Sequence, residues 1–275
     1  MWLFITVVIL LLPALYLFLI MPRIFKRADM KALCVDYAHR GLFSDELPEN
    51  SLGAFRNAVE NGYGIELDVQ LSRDKKIVVF HDYTLKRMCG AGGRISDYTY
   101  DELSRMKLQG TEYTIPSFVD VLRLVGGKVP LLIELKGEDT NAELCKLIAP
   151  ILDKYKGAYS VESFNPFLLR WFKKNRKSCA RGQLVTKISA KKDKKNPILS
   201  IVLSNMLTNV LSRPDFIAVN GNIRNTPMVH ICESIMQARV FVWTVKNEKE
   251  YVTCRKEGRR TIFEKFEPKK IERNR

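Results

Sequence analysis

Between residue 32 and residue 275, short apolar runs alternate with stretches of helical period, and this alternation constrains the fold more than any other feature. Strands are expected at 33–38, 64–70, 76–80, 130–135, 158–162, 181–185, 215–219, 239–244 and 260–263. Helices are expected at 51–61, 117–125, 141–154, 165–176, 198–211, 226–236 and 247–256. Strands separated by helices pair in parallel, because a parallel neighbour needs a crossover long enough to hold one. About eight such units in roughly 240 residues fit a closed (β/α)8 TIM barrel better than an open doubly wound sheet. No glycine-rich dinucleotide fingerprint follows the first strand, which weakens the open sheet further. With no internal repeat and no second domain in view, residues 32–275 are expected to form one α/β barrel.

Residues 1–21, MWLFITVVILLLPALYLFLIM, carry no charge. As a helix they would extend about 31 Å, enough for a hydrocarbon core, and a kink at Pro13 is tolerated there. A cleaved signal peptide is the competing reading, but the run has neither a basic segment before it nor a small-residue cleavage site after it. The expectation is therefore one N-terminal transmembrane helix at 1–21, a basic juxtamembrane linker at 22–31, then the barrel. Arg23, Lys26, Arg27 and Lys31 follow the span and nothing basic precedes it. The positive-inside rule then gives a single-pass protein of the cell membrane with its catalytic domain in the cytoplasm.

Charge and cysteine usage agree with that placement. Lys and Arg number 45 against 30 Asp and Glu, a formal +15 concentrated in 170–181, 187–197 and the final residues. Such a surface favours anionic partners, and the anionic face of a membrane is the expected one. Nucleic acid is not expected, since no zinc-finger spacing, RNA-binding aromatic motif or basic repeat is present. The 6 cysteines are scattered, without a CxxC pair, as isolated reduced thiols would be. Oligomeric state is not legible.

The chemistry gathers in 38–82. Two of the 3 histidines stand there, His39 before Arg40 and His81 before Asp82. Between them Glu66 and Asp68 lie two apart in GIELDVQL, so on a strand both carboxylates face one side. Glu134 adds a third acid inside the apolar strand LLIELK, where it needs a partner. In a barrel, reactive groups collect at the carboxyl ends of the strands, which brings these residues to one face. Three carboxylates with no cysteine beside them offer hard oxygen ligands, suited to Mg2+ or Ca2+ more than to Zn2+. Two histidines beside a hard cation suggest a general base and a general acid. Arg40 and Lys136 add fixed positive charge for an anionic phosphate. Metal-assisted phosphodiester cleavage is the resulting expectation. Taken singly, His39 also reads as a satisfied core histidine and Glu66/Asp68 as the polar face of a half-exposed strand. His230 is read as structural, and GAGG at 90–93 lacks the Lys-Ser/Thr of a phosphate-binding P-loop.

At these same residues the sequence resembles the glycerophosphodiester phosphodiesterase family. The ordered series HRG, PENS, NGYGIELDV and SRDKKIVVFHD carries the resemblance, continued by IPSFVDVL, LLIELK, VESFNP and VFVWTVKN across roughly 33–263. The resemblance implies a TIM barrel that hydrolyses glycerophosphodiesters to glycerol 3-phosphate and an alcohol. It implies His39 as base and His81 as acid, with Glu66, Asp68 and Glu134 on one divalent cation. Arg40 and Lys136 would bind phosphate and Trp243 would line the substrate pocket. Two departures bear on substrate choice: TIFEKFEP with Glu264 replaces an Asp-containing ending, and Lys86 stands at a position often acidic. A lysophospholipase D acting on membrane lipid is the alternative enzyme, and a catalytically silent barrel that binds lipid headgroups is the alternative outside catalysis.

Overall fold

The nine expected strands are all present in the computed structural model, which describes residues 2–25, 27–137, 140–189 and 196–269, with side chains from residue 11 onward. They are β1 (Tyr37–Ala38), β2 (Gly64–Leu71), β3 (Ile77–Val79), β4 (Leu131–Leu135), β5 (Tyr159–Ser163), β6 (Ala180–Val185), β7 (Phe216–Asn220), β8 (Arg239–Val245) and β9 (Arg260–Phe263). β1 pairs in parallel with both β2 and β9, and this closes eight parallel strands into a (β/α)8 barrel. β3 is antiparallel to β2 and stands outside the parallel series. Strands of such a barrel are buried on both faces, which is why β4 and β6 are buried at every residue although they hold Glu134, Arg181 and Gln183.

The crossover helices obey local signals. Ser51 accepts a hydrogen bond from Ala54 N to start Leu52–Glu60, and Ser117 accepts from Asp120 N to start Phe118–Val125. The second ends at Gly126, whose φ of +55° suits a residue without a side chain. Their apolar faces, Ala54, Phe55 and Ala58 on one and Val121, Leu122 and Val125 on the other, pack onto the outside of β2 and its neighbours. Inside the barrel, Tyr37, Leu132, Phe216 and Phe241 form a separate apolar layer. A Cβ at Gly182 would overlap the Phe216 ring, so that layer leaves room for glycine alone.

Several boundaries differ from expectation. Residues 33–36 turn instead of extending, because Leu33 N and Cys34 N both donate to Met30 O. The helix expected at 198–211 is two, Pro197–Ser204 and Asn209–Ser212, parted by a turn with Met206 at φ +56°. The segment at 226–236 begins α-helical at Pro227–His230 and continues as a π-helical turn, Ile231–Ile235. Between β3 and β4 the chain builds a small core of its own from Phe80, Leu85, Met88, Ile95, Leu103 and Leu108. All 6 cysteines are free, as expected.

The N-terminal run is a helix, Trp2–Ile20, with Pro13 inside it. Among the described residues no helix is long and apolar enough to cross a membrane, so the expected anchor rests on the sequence alone. Leu11, Leu12, Leu15 and Phe18 are exposed, while Tyr16 and Ile20 pack against the barrel's core. There Asn209 donates to Ile20 O at 2.8 Å, and Arg213 donates to Phe18 O at 2.8 Å and Met21 O at 2.9 Å. Within the expected linker, Arg23 and Arg27 contact the barrel. Arg23 pairs with Asp215 at 3.3 Å, and Arg27 donates to Met236 O and Gln237 O. The lysine-rich stretch 187–197 lies largely outside the described residues.

Candidate active site

Alternation along β2 turns Glu66 and Asp68 into the barrel while Ile65, Leu67 and Val69 pack outward. Register then adds neighbours. Asp68 lies opposite Glu134, Glu134 opposite Glu162, and Glu162 opposite Gly182, so three acids from β2, β4 and β5 share one layer. Oxygens of Glu66, Asp68 and Glu134 all fall within 4.8 Å of one another, and the three residues are buried. Lys136 reaches up from just past β4 and lies 2.8 Å from Glu134 and 3.1 Å from Asp68.

Both expected histidines border this group. His39 follows β1 directly, with Nδ1 2.7 Å from Glu264 Oε2 and Nε2 3.9 Å from Glu66 Oε2. Glu264 is in turn paired with Lys246 at 3.0 Å. His81 follows β3, with Nδ1 2.6 Å from Asp82 Oδ1. Gln70, two residues beyond Asp68 on the same face, donates to Phe80 O and Asp82 O at 2.8 Å each and so fixes the loop that carries His81. A carboxylate on Nδ1 favours the tautomer with hydrogen there, leaving Nε2 of each ring towards the site.

A chain of ion pairs joins the two sides. Asp82 binds Arg87 at 2.6 Å, Arg87 binds Glu49 at 2.7 Å, and Glu49 binds Arg40 at 2.7 Å. Arg40 N donates to Glu66 Oε2 at 2.9 Å, its Nε lies 3.7 Å from Asp68, and Asn50 Nδ2 donates to Asp68 Oδ2 at 2.8 Å. Arg40 and Asn50 both sit at φ +57°, a left-handed conformation that their shared contacts hold in place. Trp243 on β8 is farther round the rim, donating to Ala218 O at 3.0 Å and stacked edge-on against Phe164 at 5.7 Å. His230 is exposed on Pro227–His230 and takes no part in the carboxylate group.

The electrostatics are those of crowded buried acids. Burial, with Asp68, Glu162 and Glu134 adding to it, drives the Glu66 carboxyl well above its usual range. Burial raises Glu134 to about 7 despite Lys136, and raises Glu162 well above its ordinary value. Asp68 goes the other way: burial is overcome by Lys136, His81 and Arg40, which hold it ionised. Glu162 Oε2 has no hydrogen-bond partner. Four acids thus face two fixed cations, Lys136 and Arg40. A divalent cation among Glu66, Asp68 and Glu134 fits that imbalance, and it would restore the ionised form of acids that burial otherwise protonates. Burial also lowers both histidines, His39 against the pull of Glu264 and His81 against that of Asp68 and Asp82.

Local sequence did not show what some of these residues touch. Glu162 joins the site through strand register alone, and Glu264 reaches His39 across 225 positions of chain. Asp82 and Glu49 lie in the HD and PEN motifs and were legible as neighbours, though not as parts of one ion-pair chain.

Residues 39–264 match the model of the glycerophosphoryl diester phosphodiesterase family. The chain belongs to this family. As a member it is a phosphoric diester hydrolase. It is 29% identical to YhdW of Bacillus subtilis (strain 168) over 222 residues, which is 77% of this chain and 86% of that protein. It is 36% identical over 160 residues to a glycerophosphodiester phosphodiesterase of Caldanaerobacter subterraneus subsp. tengcongensis, covering 53% of this chain and 63% of that one. The crystal structure of a glycerophosphodiester phosphodiesterase from Thermotoga maritima superposes with a TM-score of 0.66 at 29% identity, covering 83% of this chain and 94% of that one. The three buried acids lie within the matched region, Glu66 and Asp68 on β2 and Glu134 on β4.

Proposed function

We propose that the chain hydrolyses glycerophosphodiesters to glycerol 3-phosphate and an alcohol, with His39 as general base and His81 as general acid. The observation that carries this reading is a buried carboxylate trio beside two imidazoles, each oriented through Nδ1 by its own acid. Glu66, Asp68 and Glu134 would hold one divalent cation, Mg2+ or Ca2+, which when bound supplies positive charge to the phosphate oxygens. Arg40 and Lys136 lie beside the same oxygens and hold the anion in place. The nucleophile is a water, or a substrate hydroxyl whose attack gives a cyclic phosphate that a water then opens to glycerol 3-phosphate. His39 takes its proton as the new P–O bond forms, the bond from phosphorus to the alcohol oxygen breaks, and His81 returns a proton to that oxygen. A lowered pKa keeps His39 neutral and ready near pH 7, and a bound phosphate favours the charged form of His81. Trp243, with Phe164, offers an apolar wall for the rest of the substrate.

Full-length protein with Mg2+ or Ca2+ is expected to release glycerol 3-phosphate from glycerophosphocholine. His39→Ala and His81→Ala are each expected to lose about 100-fold or more in turnover. Turnover by His39→Ala equal to that of the parent protein would exclude the assigned role.

One observation favours a second reading, a lysophospholipase D acting on lipid. Ile198, Leu199 and Ile201 of Pro197–Ser204 are exposed, as are Phe164 just after β5 and Phe167 in the first turn of the helix Pro166–Asn175. Ile188, just past the carboxyl end of β6, donates to Ser204 Oγ at 2.8 Å, which fixes that apolar helix to the rim of the site. Much faster turnover of long-chain lysolipids than of deacylated diesters would support it. We also infer a cell-membrane anchor at 1–21 with the barrel in the cytoplasm, on the charge-free run and the basic residues Arg23, Arg27 and Lys31 after it.

A further inference from the structure

We propose a second anion site at the opposite end of the barrel, a cleft that takes a phosphate-bearing headgroup of an anionic phospholipid. Two adjoining cavities, of about 430 Å3 and about 410 Å3, open beneath the amino ends of β8 and β9 and share Arg27, Arg239 and Arg260 in their walls. Most acids in those walls are already matched. Asp215 pairs with Arg23 at 3.3 Å and Arg181 at 3.7 Å, and Glu233 and Glu257 pair with Arg259 at 2.8 and 2.9 Å. Asp29 remains, accepting from Lys31 N at 2.9 Å.

The cations are held differently. Among the described residues, Arg27 donates to carbonyl oxygens alone, to Arg23 O at 2.8 Å, Gln237 O at 2.8 Å and Met236 O at 2.6 Å. Its guanidinium is therefore fixed in place with its charge uncancelled. Arg239 and Lys31 are exposed and make no ion pair among the described residues. A fixed guanidinium with unmatched charge, beside the exposed Arg239 and Lys31, is suited to phosphate oxygens, which accept from two N–H groups at once.

Position selects the lipid headgroup over a free ion. Arg27 follows the last residue of the apolar helix, Ile20, by seven positions, and Ile20 is itself tied to Asn209 at this end of the barrel. If residues 1–21 lie in a bilayer, the cleft lies at its surface. The cleft itself is independent of the diesterase reading; its lipid source rests on the anchor reading.

The test uses full-length protein in neutral detergent with chelator present, so that no turnover intervenes. Calorimetric titration with dihexanoylphosphatidylglycerol is expected to show saturable binding that weakens with added salt. Arg239→Gln with Lys31→Gln should weaken it about tenfold, and Arg239→Lys should retain it. Should the double variant not fold, Arg239→Gln alone, at an exposed position, gives the same comparison. Glu66→Gln should bind like the parent protein, so a failed diesterase assignment and a failed cleft are separate results. Inorganic phosphate that competes at similar concentration identifies the free ion as the source; its failure to compete identifies the headgroup. Unchanged affinity in a folded Arg239→Gln variant, equal binding of dihexanoylphosphatidylcholine, or loss through Glu66→Gln instead would overturn the proposal.

Discussion

Glu264 shows how one distant residue sets the behaviour of another. Its carboxylate, held down to about 2 by His39 and Lys246 despite partial burial, accepts from His39 and raises the imidazole pKa against desolvation. Glu264→Gln should lower turnover about 10- to 100-fold, as loss of an orienting partner does elsewhere. It should also move the acidic limb of kcat/KM to lower pH, since His39 is the base in its neutral form and loses a group that favours its proton. A purely structural role would leave that limb in place. Asp82 stands to His81 as Glu264 stands to His39, but His81 is the acid, so Asp82→Asn should move the basic limb to lower pH. The pattern HRG marked His39, but nothing near it in sequence marked the acid at 264, because that contact exists only once the barrel is closed.

Among the elements, β2 positions the carboxylates and its neighbours enforce the spacing. Five consecutive register pairs lock β2 to β4, so Asp68 and Glu134 cannot slip past one another without turning every apolar residue the wrong way. Gly182 serves the layer below. Gly182→Ala should destabilise the fold by about 1–3 kcal/mol in denaturant unfolding, the usual cost of forcing a methyl group into a filled core. Ser117→Ala, which deletes the cap of Phe118–Val125, should cost about 1 kcal/mol by the same measurement. No change in either would mean that the barrel relaxes around these points. Strand and helix positions were legible because short apolar runs alternate with stretches of helical period. The split of 198–211 was not, since its break uses Met206, a residue with no turn signature, in a left-handed conformation.

For the molecule as a whole, the barrel gathers more carboxyl groups than its own cations can keep ionised. Without a cation, Glu134, raised to about 7 from an ordinary 4.5, is protonated in the fold and ionised when unfolded, and burial pushes Glu66 in the same direction. A raised pKa of this kind contributes stability below the unfolded value, and the contribution is lost as pH climbs towards the folded one. Metal-free protein should therefore lose Tm between about pH 4.5 and pH 7 through these groups. A cation binds the ionised acids, so the Tm rise on adding Mg2+ or Ca2+ should grow from about pH 5 to about pH 8, as differential scanning calorimetry would show. A cation effect independent of pH, or undiminished in Asp68→Asn, would remove these acids from the metal set.

The sequence alone determined the strand and helix series, the closed barrel it implies, and the residue types of the site, because hydrophobic period and short motifs are properties of neighbouring residues. The tertiary structure decided what distant residues do to one another. Register placed Glu162 beside Glu134, closure brought Glu264 to His39, and folding of 22–31 onto the barrel base set Arg27 beside Arg239. Each of those contacts joins segments far apart in the chain, and only packing in three dimensions fixes such distances.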